Sequence, residues 1–227
     1  MKIVVLISAE AEWCSLKKLL PPAEYTKTPF GEQSVAVMHG QEYHFVQGGW
    51  GKISASASAQ YAIDRLRPDL IINLGTCGGF EGYSRHGQTI IATKTVVYDI
   101  IEKMGDPIEA LRAYATTIET DWLQKMPETM QKGILVSADR DIVSEDLKQL
   151  AQHQAIAGDW ESGAIAWTAK RNNVAIIIAR GVSDMISEHE AEAFNNLTVF
   201  EEGTERVMKQ LLAQLPQLIN QWKVAQT

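Results

Sequence analysis

The chain has 227 residues, 45% of them hydrophobic and 22% charged, which fits a soluble globular protein with one large α/β core. A formal net charge of −7 without any basic tract argues against nucleic acid or an anionic membrane surface as the main partner. Two cysteines, Cys14 and Cys77, cannot build a disulfide framework, and the apolar run after Met1-Lys2 is too short for a signal-peptide core or a membrane span, so a soluble cytoplasmic protein is expected.

In chain order, Ile3 to Ile7 predicts a first strand. Ser8-Ala9-Glu10-Ala11-Glu12 then opens a helix that runs through Leu20 and stops at Pro21-Pro22. Ser8 is a candidate cap, and Glu10 and Glu12 suit the dipole of a first turn. The other reading is that Glu12, lying beyond a strand end, points into a site. Gln33 to Met38 and Tyr43 to Val46 read as a hairpin joined through His39-Gly40. Gln47-Gly48-Gly49-Trp50-Gly51-Lys52 is a tight strand-to-helix turn or a phosphate cradle, without Walker spacing. The helix after it, from about Ile53 to Leu66, is rich in Ala and Ser, which permits close packing.

Ile71 to Leu74 reads as a buried strand. Gly75-Thr76-Cys77-Gly78-Gly79-Phe80 follows as a glycine-rich turn that lets backbone approach a ligand, with Thr76 adding a hydroxyl. Gln88 to Val97 is strand-like and ends at Tyr98-Asp99. A helix is expected over Ile108 to Met126. Gly133 to Val136 is a strand that leads into Ser137-Ala138-Asp139-Arg140-Asp141-Ile142.

Gly158 to Met185 is the most informative stretch. Asp159-Trp160-Glu161 opens a small-residue helix, Ser162 to Lys170, and Arg171-Asn172-Asn173 makes a turn. Val174 to Ala179 is an apolar strand buried on both faces, ending at Arg180-Gly181-Val182-Ser183-Asp184. The carboxyl end of such a strand is where α/β sheets bind ligands. Alternatively, Ser183-Asp184 caps a following helix. Beyond a polar segment containing Phe194, Leu197, Phe200, Val207, Leu211, Leu215, Leu218 and Trp222 keep helical spacing, with Gly203 and Pro216 as candidate interruptions. No repeat or linker divides residues 1–227, so one α/β domain is expected.

Four separated pieces, Glu12, Gly75 to Gly79, Asp159 to Glu161 and Ser183-Asp184, together resemble the 5′-methylthioadenosine/S-adenosylhomocysteine nucleosidases, a branch of the nucleoside phosphorylases. The resemblance implies a three-layer α/β/α fold around a mixed, partly barrel-like sheet, and a small-molecule nucleoside as substrate. It implies that Glu12 activates water and that Asp184, paired with Ser183, is the general acid at the purine N7. Thr76, Cys77 and Gly78 would contact ribose and base, with Ile142 as a further substrate-binding residue. Asp159-Trp160-Glu161 would hold the ribose hydroxyls, Trp50 would border the 5′ substituent, and Phe194 would close over the nucleoside. A homodimer is implied, and no cofactor. No metal is expected either, because the five histidines are scattered. Two positions depart from the family pattern. Tyr98 stands where many relatives carry His, and Asp141 where Phe or Leu faces the adenine. An unpaired carboxylate there is costly, so either Asp141 turns out to pair with Arg140 or Lys148, or the base pocket differs.

Competing readings are a phosphorylase, a futalosine-type nucleosidase and a non-catalytic nucleoside-binding protein. Phosphate needs cationic donors, usually Arg. Phosphorylase relatives have Arg two residues before the Gly-Ser/Thr turn and in the loop after the first strand. This chain has Asn73 at the first place, and Glu12 and Trp13 at the second.

Overall fold

The computed structural model describes residues 1–189, 191–193 and 196–226. The elements in order are β1 (Ile3–Ile7), α1 (Glu10–Leu19), β2 (Tyr25–Thr28), β3 (Gly31–Met38), β4 (Gln41–Gln47), α2 (Gly51–Leu66), β5 (Leu70–Phe80) and β6 (Thr89–Val97). They continue with α3 (Pro107–Ala113), β7 (Ala115–Thr117), β8 (Met130–Ser137), α4 (Leu147–Leu150), β9 (Ala155–Asp159), α5 (Ser162–Arg171), β10 (Ala175–Ile186) and α6 (Leu197–Val224). Among the described residues no helix is long and apolar enough to cross a membrane.

The strands form one mixed sheet ordered β10-β6-β8-β9-β5-β1-β4-β3-β2, with β7 on β6. Because β10 also pairs with β5, the strands β5, β10, β6, β8 and β9 close into a five-strand barrel, and β1, β4, β3 and β2 extend from it as an open flank. Strand alternation feeds two cores, one on each face of this flank. Ile3, Val5 and Ile7 pack with Trp13, Leu16, Leu211 and Leu215 of α1 and α6. Val4 and Leu6 pack with Ala55, Ala59, Ala164 and Ile165 of α2 and α5. Small residues let α2 and α5 lie close together, and Ser56 and Thr168 hydrogen-bond across them at 2.8 Å. The three-layer, partly barrel-like expectation is the observed architecture.

Several local expectations change. Gly75 to Phe80 is not a turn but the second half of β5, because β10 on one side and β9 on the other supply its ladder partners. Ser183-Asp184 caps no helix; β10 runs on through both residues to Ile186. Ser8 is not the cap of α1. That position is Ala9, without a side-chain cap, and Glu12 Oε2 accepts from the Ala9 N–H at 3.2 Å instead. The helix expected over Ile108 to Met126 stops at Ala113, since Thr116 and Thr117 pair as β7 with the edge of β6. Strands β2 and β9 escape the sequence reading. The hairpin turn does fall at His39-Gly40, both at positive φ (49° and 74°), as a two-residue connection requires. Gly203 and Pro216 do not interrupt α6. A Cβ at Gly203 would lie 2.9 Å from the Ser183 carbonyl oxygen, so its absence lets α6 cross tightly over β10.

Candidate active site

A cavity of about 780 Å³ opens where the strands of the barrel meet the ends of β1 and β9. The parallel pairings of β5 with β1 and with β10 set its depth. They place Asn73 beside Leu6, Gly75 beside Arg180, and Gly78 beside Asp184. The β10 register slips between Val182 and Asp184, leaving Ser183 as the extra residue of a bulge. Bulges re-aim side chains beside sites, and both Ser183 and Asp184 line the cavity.

At the mouth of β1, Glu12 is 2% exposed. Its Oε1 accepts from the Thr76 N–H at 2.6 Å and from Thr76 Oγ1 at 2.9 Å. Behind it lies Arg180, fully buried at the barrel wall. Arg180 Nη2 donates to Asn73 Oδ1 at 2.7 Å, and Asn73 Nδ2 donates to the Leu6 carbonyl at 3.0 Å. Three carboxylates surround this guanidinium: Asp159 Oδ2 at 2.8 Å from Nε, Glu12 Oε1 at 3.7 Å from Nη1, and Glu161 Oε2 at 3.8 Å from Nη2. The Asp159 contact is an ion pair whose angle falls outside hydrogen-bond range.

One buried cation among three carboxylates leaves the nest short of positive charge. Glu161 carries the consequence. Burial pushes its carboxyl up to about 8, Arg180 pulls it down, and Asp159 and Glu12 raise it further. Its Oε1 accepts from the Gly51 N–H at 3.1 Å. Asp159, expected on the ribose with Glu161, has both oxygens engaged by the protein. Oδ1 accepts from Ser137 Oγ at 2.7 Å and from Ser162 Oγ at 2.9 Å, and Oδ2 faces Arg180. Its geometry is that of a residue positioning Arg180 and the start of α5.

Asp184 lies further along β10 and is 8% exposed. Ser183 Oγ donates to its Oδ1 at 2.5 Å and also reaches the Cys77 carbonyl at 3.4 Å. Burial raises the Asp184 carboxyl above the ordinary Asp value and Glu192 adds to the rise, while the Ser183 hydrogen bond and His86 oppose it. Burial also raises the Cys77 thiol well above its usual range. Thr76, Cys77, Gly78 and Ile142 all line the cavity. Trp50 and Trp160 line it too, with ring centroids 4.5 Å apart and planes tilted by 31°. Asp141 lines the cavity and is exposed; Arg140 pairs with Asp146 rather than with Asp141. Phe194 lies outside the described residues. Among the described lining residues none is Lys, Arg or His, and among the described residues no three His, Cys, Asp or Glu side chains are grouped to hold a metal ion.

The sequence reading missed Arg180 as a site residue, taking it as the end of its strand. The signal was available: a lone guanidinium directly after Ile176-Ile177-Ile178-Ala179 must be paired wherever it is buried.

A closed barrel flanked by helices, with a carboxylate-lined pocket at its strand ends, defines a protein of the nucleoside phosphorylase fold. The family model described as "Phosphorylase superfamily" matches residues 2–218, and the chain belongs to that family. It is similar to the 5′-methylthioadenosine/S-adenosylhomocysteine nucleosidase of Buchnera aphidicola subsp. Acyrthosiphon pisum (strain APS), 28% identical, with 93% of this chain and 94% of that one covered. The nucleosidase of the same description from Maridesulfovibrio salexigens is 25% identical, with 96% of this chain and all of that one covered. Among solved structures, the nucleosidase from Colwellia psychrerythraea in complex with adenine superposes with a TM-score of 0.78 at 21% identity, covering 97% of this chain and 95% of that one. Futalosine hydrolase of Helicobacter pylori superposes equally well, 0.78, at 16% identity, covering 96% and 98%.

Proposed function

We propose that the protein hydrolyses the N-glycosidic bond of 5′-substituted adenosines such as methylthioadenosine or S-adenosylhomocysteine, in methionine salvage. The observation that carries the reading is the placement of Glu12 and Asp184 on one pocket, at the mouth of β1 and far along β10. Water attacks the anomeric carbon while the bond to the base breaks with its electron pair passing to the purine. Asp184 delivers a proton to N7, and Glu12 takes one from the attacking water. Asp184 suits this role because its burial favours the protonated form. Glu161 holds ribose hydroxyls, and its ionised form, which prevails above about 8, opposes the positive charge that grows on the sugar. Arg180 and Asp159 hold Glu12 and Glu161 in place. The relatives named as nucleosidases support this assignment.

Water rather than phosphate is the nucleophile. A phosphate dianion needs free cationic donors. The cation nearest Glu12 is Arg180, and it is enclosed by carboxylates. The deciding experiment is base release from a nucleoside panel with and without phosphate. Adenine and free sugar should appear in phosphate-free buffer; strict phosphate dependence with a sugar 1-phosphate product overturns the reading.

One domain in the cytoplasm would carry this activity, as a homodimer. Ile53 is 85% exposed, Ile101 78% and Met104 fully, on a rim tied together by the Lys52–Asp99 ion pair. A second copy is the occupant proposed for this apolar rim. Light scattering at micromolar concentration tests it; a monomer mass refutes it.

A further inference from the structure

Helix α2 begins at the pocket without a cap of its own. Trp50, at its N-cap position, makes no side-chain cap hydrogen bond, and no acidic residue stands in its first turn. A helix start leaves backbone N–H groups unsatisfied and carries partial positive charge. Two carboxylates from distant parts of the chain take up the first two of these N–H groups. Glu161 Oε1 accepts from Gly51 at 3.1 Å, and Asp139 Oδ1 accepts from Lys52 at 2.7 Å. Gly51 is suited to this turn: its φ is +82°, and a Cβ there would lie 3.2 Å from Asp139 Oδ1.

Asp139 is itself held from two sides. Its N–H donates to Asp99 Oδ2 at 3.0 Å, and Lys52 Nζ pairs with Asp99 and lies 3.9 Å from Asp139 Oδ2. Lys52, Asp99 and Asp139 therefore close a ring around the first turn of α2. The chain just before Asp139 is anchored to the end of β9, where Ser137 Oγ donates to Asp159 Oδ1 and the Ala138 N–H donates to the Asp159 carbonyl at 3.2 Å. Glu161 faces Arg180 from β10, Asp159 from β9 and Glu12 from α1. From α2 it receives the Gly51 N–H, which favours its ionised form. The charged side chain of that turn, Lys52, is turned to Asp99.

We propose that Asp139 is a positioning residue for Glu161: by capping α2 it keeps the Gly51 N–H on the carboxylate that holds the ribose. This rests on the nucleosidase reading and adds a residue that acts on the sugar site through a helix start. Without the cap the Gly51 N–H drifts, and Glu161 takes up its proton more readily. The test is kcat/KM for adenine release from methylthioadenosine between about pH 6 and about pH 9, in the unmodified protein, Asp139→Ala and Asp139→Asn. At about pH 7 the Ala variant should lose about tenfold, the size of one hydrogen bond to a charged group. The gap should narrow to about twofold by about pH 9, where Glu161 is ionised in both proteins. Asp139→Asn, whose side-chain oxygen can still accept from Lys52, should recover most of the loss. Should the Ala variant not fold, Asp139→Ser, whose hydroxyl falls short of the Lys52 N–H, is read in the same way. A loss that is equal at every pH marks a merely structural role and overturns the proposal. So does an unchanged kcat/KM, or an Asn variant as slow as the Ala variant. Adenine release by the unmodified protein keeps the nucleosidase reading standing in each of these cases; no release defeats that reading, and this inference with it.

Discussion

Arg180 and Gly75 face each other across the β5–β10 ladder, and a Cβ at Gly75 would sit 2.1 Å from Arg180 Nη1 and 2.6 Å from Glu12 Oε1. Glycine here serves close approach rather than chain reversal. It leaves room for the guanidinium and the Glu12 carboxylate to meet inside the barrel wall. Gly75→Ala should therefore displace both. The expected result is a stability loss of about 1–3 kcal/mol and a turnover loss of about a hundredfold, from misplacing the carboxylate proposed to activate water by about 1 Å. Denaturant unfolding with steady-state kinetics checks both. An Ala variant with unchanged turnover would show that Glu12 does not depend on this packing.

Arg180 holds the buried carboxylates together, so removing it should cost more than removing any one of them. Arg180→Met leaves Asp159, Glu161 and Glu12 without their cation. A loss of about 3–5 kcal/mol is expected, the size seen when one partner of a buried pair is deleted. The loss should be smaller in acid, where the orphaned carboxyls take up protons. Thermal unfolding across pH measures this; equal destabilisation at acid and neutral pH contradicts the charge argument.

Glu161 gives a pH signature with a definite sign. Its folded-state carboxyl is pushed up to about 8, whereas an unfolded Glu titrates near about 4.3. Between those values the folded chain binds the extra proton, so stability falls as pH rises, and the loss is complete above about 8. Glu161→Gln keeps the hydrogen-bonding shape without the titration. Its melting temperature relative to the unmodified protein should therefore climb from about pH 5 to about pH 8. A flat difference over that window would mean that Glu161 is ionised throughout.

Strand–helix alternation made an α/β fold readable in the sequence, the partly barrel-like sheet came with the family resemblance, and part of this nest was readable because burial leaves few choices for a charged residue. Asp184 after Val174 to Ala179 stood out for that reason, whereas Glu12 was singled out by its match to the family pattern, since its spacing equally suits the first turn of a helix. The roles of Arg180 and Asn73 were not readable in the same way. Their partners lie more than sixty residues away, and only the β1–β5–β10 register brings them together. The glycine run misled for a related reason. A turn and a strand that must pass close to a guanidinium ask for the same residue, and local pattern cannot tell them apart. Asp141 also needed coordinates. The ion pair of Arg140 with Asp146 leaves Asp141 at the pocket, unpartnered among the described residues.

Trp50, two-thirds exposed over Trp160, offers apolar surface at the outer end of the cavity. A neutral 5′-methylthio group should raise kcat/KM over adenosine by about tenfold, which corresponds to about 1.4 kcal/mol of apolar contact. Competition between the two nucleosides in one reaction reads this directly. Equal efficiencies would place the 5′ end elsewhere.

The last prediction divides labour among the carboxylates. Asp184→Asn keeps the size of the side chain and its Ser183 contact but cannot deliver a proton. Release of adenine, a poor leaving group, should fall by about a hundred- to ten-thousandfold. A nucleoside whose base departs without protonation at N7 should lose far less. Glu12→Gln should be slow with both kinds of substrate, because water must be activated whichever base leaves. It should still bind nucleoside, so turnover falls with little rise in the Michaelis constant. Glu161→Gln should weaken binding and slow turnover together, and a 2′-deoxy substrate should feel the change less, having one hydroxyl fewer to hold. The measurement is a steady-state comparison of the three variants on adenine nucleosides and on nucleosides with activated leaving groups. Near-normal adenine release by Asp184→Asn would remove the assigned acid, and an activated substrate rescued in Glu12→Gln would remove the assigned base.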